Sequence, residues 1–349
     1  DDSGHEDVNV VDSTWTLLEA AAVNTLHIDD HVGLLSRHQV LGWNFAEFYS
    51  RVLGVALSIR SLNIEKGDRI MQCIGNDSEQ LLLQLAAPLA GVDLVNVSDP
   101  SQLDQAQSEL QCKALVISPT HFQSFEHIND LPQTFKHPPI LTGPLQIPPN
   151  TTGKPPVVMG FVDLIAEVSS APIEELEHIA LMLLLDDDDS SSSDEHEPTF
   201  YFSSGDRNNL TIHSATESEL IHRGKELAEL VDMHVDDRVL VGTDLGTPFT
   251  MAAILGAISG GSGIVLTNID TAPINPGLPD AANVDVLSTL HDSRCTLLLS
   301  DRDRFFNIPL PVPNTHDVSA LRGGLVASDT TDEDITASYA GVPLKLVQY

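Results

Sequence analysis

The chain has 349 residues, 42% of them apolar, enough for one large domain or two subdomains around a sizeable core. Its 51 acidic residues against 17 basic give a formal net charge of −34. That balance argues against nucleic acid and anionic membranes as partners, since both need clustered Lys and Arg. It serves solubility, and it leaves a divalent cation on the acidic surface as the alternative use of so many carboxylates.

No apolar run approaches the ~20 residues that span a bilayer. The chain opens DDSGHEDVNV, without Met and without a signal-like apolar segment, and ends on the strand-like KLVQY. It therefore reads as a processed or partial chain.

Taken in order, residues 1–14 form a polar arm. WTLLEAAAVNTL (15–26) has helical apolar spacing. In WNFAEFYSRVLGVALSIRSLNI (43–64), Phe45, Phe48, Val52, Val55 and Ala56 recur at three and four, which predicts an amphipathic helix with Asn44 as N-cap. KGDRIMQCIGN then gives a turn and a buried strand. SEQLLLQLAAPLAGV is a helix capped by Ser78, DLVNVSDP a strand, SQLDQAQSELQ a helix and CKALVIS a strand. Strands alternating with helices at short spacing imply a doubly wound, mostly parallel sheet. Residues 120–160, rich in Pro and Gly, read as a long surface connection, and FVDLIAEV and PIEELEHIALMLLL as helices.

The run DDDDSSSSDEHEP (186–198) is a low-complexity acidic loop that buries no core. After it the alternation restarts. TFYF is a strand running into a Ser-Ser-Gly turn, and SATESELIHRGKELAELVDM is a helix. DRVLVGT, IVLTNI, CTLLLS, GGLVAS and LKLVQY are strands, and PFTMAAILGAISGGSGI and DAANVDVLSTLHDS are helices. The expected organisation is an arm (1–14), a first α/β subdomain (15–185), the acidic loop and a second α/β subdomain (199–349). The repeat is one of architecture.

Cys73, Cys112 and Cys295 are too far apart in sequence for a CxxC or Cys/His metal site. Cys73 and Cys112 read as core thiols, and one disulfide is open. Four N-x-S/T sequons, at Asn76, Asn96, Asn150 and Asn209, permit glycosylation and an extracellular setting, which is favoured slightly over a mitochondrial or cytoplasmic one. The histidines lack zinc spacing, and no G-x-S-x-G elbow is present. The glycines of GAISGGSGIVL end a helix before a strand, the reverse of a dinucleotide fingerprint, and read as a C-cap.

The order of segments resembles the large N-terminal part of the adenylate-forming superfamily: acyl-CoA synthetases, peptide-synthetase adenylation domains and firefly-type luciferases. The first half carries it through LGWNFAEFYSRV, LNIEKGDRIMQCIGNDSE, LQLAAPLAGVDLVNVSDP and CKALVIS, and its flavour is that of medium-chain acyl-CoA synthetases. The resemblance implies two successive Rossmann-like α/β subdomains with mostly parallel sheets, without the family's barrel and C-terminal domain. FYFSSGDRNNLTIHS falls where the family has its phosphate loop, Thr-Ser-Gly-Thr-Thr-Gly-x-Pro-Lys-Gly. Ser203, Ser204 and Gly205 match its first three residues, and there the match ends. The later glycines, which let backbone N–H groups close on phosphate, are missing, and so is the lysine. Asp206 places a carboxylate where polyphosphate would lie, a repulsion of ~1 to 4 kcal/mol at a few ångströms. Arg207 would pair locally, and His213 reads as a relic of a Ser-His pair. Gly246 stands near the family's pocket histidine and Phe249 near a following glycine. Tyr349 matches its adenine-stacking tyrosine.

These departures predict a non-catalytic relative without a cofactor, acting through a protein partner or self-assembly at the sheet edge near Leu346 and Tyr349. One alternative is an AMP-forming ligase using ATP and Mg, with its remaining domains outside this chain. The other is a module binding an acyl or adenosine ligand near Ser203–Gly205 without turnover.

Overall fold

A computed structural model describes residues 12–28, 31–123, 135–143, 159–166, 177–178, 196–206, 209–268, 281–328 and 338–349. Its strands, in chain order, begin with β1 (Leu34–Ser36), β2 (Leu41–Trp43), β3 (Arg69–Cys73), β4 (Asp93–Asn96), β5 (Ala114–Ile117), β6 (Ile140–Leu141), β7 (Met159–Gly160) and β8 (Thr199–Asp206). They continue with β9 (Asn209–Thr216), β10 (Arg238–Val241), β11 (Gly263–Leu266), β12 (Leu297–Asp301), β13 (Gly323–Ser328), β14 (Ser338–Tyr339), β15 (Val342–Pro343) and β16 (Lys345–Gln348). Two seven-stranded sheets form, ordered β7-β6-β5-β3-β4-β8-β9 and β16-β13-β12-β10-β11-β1-β2. Both are parallel except for their β8–β9 and β1–β2 edges. No barrel occurs among the described residues. The sheets exchange strands along the chain: residues 34–43 join the sheet built by the second half, and residues 199–216 join that of the first.

Among the described residues six helices run to twelve residues or more: α1 (Thr14–Thr25), α2 (Phe45–Ser61), α3 (Ser78–Leu89), α4 (Glu217–Leu230), α5 (Pro248–Ser259) and α6 (Ala281–Asp292). The largest apolar cluster lies between the sheets. It takes Phe45, Phe48 and Val52 from α2, Leu82 and Leu85 from α3, Leu220 from α4, Ile254 from α5, and Ile70, Phe200 and Val239 from the strands. Val239 and Val241 face this layer, while Leu240 between them faces a separate cluster with Val286 and Leu290 of α6. That alternation is the period of two of a strand covered on both faces. Helices α4 and α5 touch at glycine: a Cβ on Gly224 would lie 2.3 Å from the Ala252 carbonyl, and one on Gly256 would lie 2.2 Å from the Gly224 carbonyl.

The predicted helices and parallel strands of both halves occur where the described residues cover them. Asn44 caps α2 in a full capping box with Glu47. Gly260 caps α5, and Gly261 follows at φ +69°. Three local readings need correction. The cap of α3 is Asp77, not Ser78, and the Asp77 carboxylate bonds His38 Nε2 at 2.9 Å instead of the helix N–H groups. Ser203–Gly205 is strand, not turn, because it pairs residue by residue with Leu210–Ile212. The helix expected from Ser214 begins at Glu217, after β9. All three cysteines are free and buried, so the disulfide left open in the sequence does not form. Residues 1–11, the run 186–195, Asn150 and Arg207 lie outside the described residues, as does most of PIEELEHIALMLLL.

Candidate functional site

In an open parallel sheet, ligands bind beyond the carboxyl ends of the strands. Both sheets present those ends to the region where the sequence places its phosphate-loop match. Strands β8 and β9 pair from Thr199↔Thr216 to Asp206↔Asn209, leaving two residues, 207 and 208, between them. Ser203 is half-buried, and Ser204 and Gly205 are exposed. Gly205 sits at φ +94°, and a Cβ there would meet the Asn209 carbonyl at 2.1 Å. Only glycine tolerates that combination. Gln102 Nε2 donates to the Gly205 carbonyl at 2.9 Å and ties the hairpin to the segment after β4. The backbone of Ser203–Gly205 is thus engaged in a ladder, and β8 and β9 carry no Lys or Arg.

Beside the hairpin lies a buried amide cluster that joins the two sheets. Asn76, after β3, donates through Nδ2 to the Thr243 carbonyl at 2.7 Å and accepts at Oδ1 from Leu245 N at 2.9 Å. Gln84 of α3 donates to the Leu245 carbonyl at 2.8 Å and to Asn96 Oδ1 at 3.0 Å. Asn96 donates to the Tyr201 carbonyl of β8 at 3.1 Å. Asn76 and Asn96 are each 1% exposed and Gln84 is fully buried. These amides hold the loop after β10 against α3 and β4, and so set the floor of the crevice. In the sequence they stand apart with no signal that joins them, and two of them lie in sequons. Asn76 and Asn96 therefore leave the list of glycan sites: their amides are buried and committed to bonds that a glycan would break. Asn209 is exposed at the start of β9 and keeps its candidacy.

Tyr349 meets Phe249 edge-on, with centroids 5.5 Å apart, and Arg223 lies 5.8 Å from its ring. Burial pushes the Tyr349 phenol up to about 12, against the opposing pull of Arg223. Phe249 is 2% exposed in the first turn of α5. Phe249 and Tyr349, the positions that the resemblance puts near the acyl pocket and at the adenine platform, thus touch each other. Gly246 packs so that a Cβ would come within 2.8 Å of Ser98 Oγ, so a histidine there would displace that hydroxyl. His213 lies exposed in β9. Among the described residues no three His, Cys, Asp or Glu side chains gather to hold a metal ion, and no helix is long and apolar enough to cross a membrane.

No family model matches the chain. Among curated proteins it is similar to the mitochondrial medium-chain acyl-CoA ligase ACSF2 of Macaca fascicularis, at 23% identity over 335 residues, 91% of this chain and 51% of the relative. It is also 36% identical over 92 residues to that of Danio rerio, covering 26% of this chain and 15% of the relative. Among solved structures, the anthranilate CoA ligase AuaEII aligns with TM-score 0.67 at 14% identity, over 92% of this chain and 55% of that one. The N-terminal domain of FACL13 from Mycobacterium tuberculosis aligns with TM-score 0.63 at 14% identity, over 96% and 75%. The chain carries the N-terminal architecture of the adenylate-forming superfamily. It spans about half the length, or less, of the curated relatives it matches. The identity to the structural neighbours, 14%, carries fold alone.

Proposed function

We propose that this chain is a non-catalytic acyl-CoA synthetase-like body whose role is protein contact rather than acyl activation. The β8–β9 hairpin carries the reading. A phosphate-binding loop needs a run of unpaired backbone N–H groups and a cation facing the ligand. Here the three matching residues are taken into a strand ladder, two residues join the strands, and the ladder holds no Lys or Arg. A polyphosphate brought there would also approach a chain of net charge −34. ATP and Mg do not fit these residues. For compartment, similarity to mitochondrial ligases supports a mitochondrial setting over an extracellular one, and burial removes two of the sequons that supported the latter.

The test is acid-dependent ATP–pyrophosphate exchange with medium-chain fatty acids, using the full natural chain. The expected result is no exchange above a buffer control, and no heat of ATP binding by titration calorimetry. Exchange that rises with acyl chain length would overturn the reading and restore an AMP-forming ligase with its remaining parts outside this chain. Binding of fatty acid without exchange would replace it with a ligand-binding module.

A further inference from the structure

We propose that β9 is an assembly edge, and that its occupant is β9 of a second copy, paired antiparallel about a two-fold axis. An edge strand presents a row of unpaired N–H and C=O groups, and proteins blunt such edges by shortness, Lys, Pro or bulges. Among the described residues, three of the four edges of the two seven-stranded sheets are blunted: β7 has two residues, β2 has three, and the four-residue β16 opens on the exposed Lys345. Strand β9 differs. It runs eight residues, NLTIHSAT, without Pro, Gly, Lys or a bulge, and its register with β8 is unbroken from end to end. Thr, Ile and Leu favour the extended state. Among the described residues no strand pairs with its outer side.

Charge selects the occupant. Two copies of a chain at −34 repel over most of their surfaces. Strand β9 holds no carboxylate, so two copies can lie side by side without like charges opposite each other. An antiparallel pairing of a strand with itself is self-complementary, which is the requirement of a closed two-fold interface. Exposed Thr211, His213 and Ser214 would supply small polar cross-strand contacts. This inference goes beyond the non-catalytic reading and does not rest on it, since a catalytically active chain would dimerise through β9 equally well. Exchange assay and assembly mass therefore fail separately.

Sedimentation velocity and native mass spectrometry on the full natural chain are expected to give a dimer. The double variant Thr211→Glu/His213→Glu is expected to weaken it by about 100-fold or more in Kd, because carboxylates then face each other across the pair. Thr211→Lys/His213→Lys is expected to do the same. Mixing the two variants is expected to restore a heterodimer, which a folding defect would not allow. A monomeric unmodified chain, a dimer indifferent to both variants, or a glycan on Asn209 of the natural chain would overturn the proposal.

Discussion

The two sheets begin at the same corner, built twice with different charges. Asp68-Arg69 opens β3 and Asp237-Arg238 opens β10. In the first, the carboxylate accepts from Glu65 N at 2.7 Å and Arg69 donates to the Leu110 carbonyl at 3.0 Å. In the second, the carboxylate accepts from His234 N at 3.0 Å and Arg238 donates to the Ser293 carbonyl at 3.0 Å. The turn, the Asp and the Arg thus do one job in both halves: they fix where a strand leaves a loop and brace it against the end of a later helix. The further partners differ. Asp68 takes Lys113 and is 18% exposed at its side chain, whereas Asp237 is 1% exposed and takes both Arg322 and Thr296. Equal geometry therefore carries unequal energy, because burial decides what a charge pair is worth.

The largest expected effect comes from breaking the buried corner. Arg322 donates through Nε to Asp237 Oδ1 at 2.8 Å and through its second arm to Oδ2. Arg322→Ala leaves a buried carboxylate short of its cation and is expected to cost about 3 kcal/mol or more, read as a lower urea midpoint at unchanged slope. Between the sheets, the neutral clasp should come next. Asn76→Ala strands the Thr243 carbonyl and Leu245 N, at about 2 to 3 kcal/mol on the same readout.

A pH series separates the two kinds of network. Burial alone would raise the Asp237 pKa, but Arg322, Thr296 and His234 N together outweigh it and hold the carboxyl below its usual range. A group depressed in the folded state contributes its stability above the unfolded pKa, about 3.9 for Asp. It loses that contribution as pH falls through the folded value. Asp237→Asn is therefore expected to lower stability at neutral pH and to flatten its fall in acid. Asn76→Ala is expected to shift the whole curve without changing its shape, since no member of the amide clasp titrates. Identical pH profiles for the two variants would refute the distinction.

The sequence disclosed this scaffold well where one local signal agreed with one packing role. Phe45, Phe48, Val52, Val55 and Ala56 are all buried as their spacing requires, and Asn44 with Glu47 forms the cap it promises. It misled where an element's state is set by a pairing partner and not by its own residues. Ser203–Gly205 has turn composition, yet is strand because Leu210–Ile212 lies alongside. Leu34–Ser36 carries no strand signal of its own, since its partner, Ile264–Leu266, lies more than two hundred residues on. Asn76 and Asn96 read as sequons and Gln84 as a polar position of a helix, and only the meeting of two sheets makes them a clasp.

The smallest expected effect sharpens the comparison most. Lys113 meets Asp68 in the same place that Arg322 and Thr296 meet Asp237, and the two cations are similarly exposed, at 32% and 36%, but the Asp68 side chain is 18% exposed against 1% for Asp237. Water screens that pair and replaces either partner when the other is removed, so Lys113→Ala should cost less than about 1 kcal/mol. The first corner also keeps its backbone ties in such a variant, with Lys113 N donating to the Arg69 carbonyl at 2.8 Å. Salt should reduce the Lys113 effect further, because exposed charges are screened over about 10 Å at 0.1 M. The Arg322 effect should survive it, since Asp237 is out of water. Comparable losses for the two substitutions, with comparable salt sensitivity, would mean that the shared Asp-Arg turn sets the energy and that burial of its carboxylate does not.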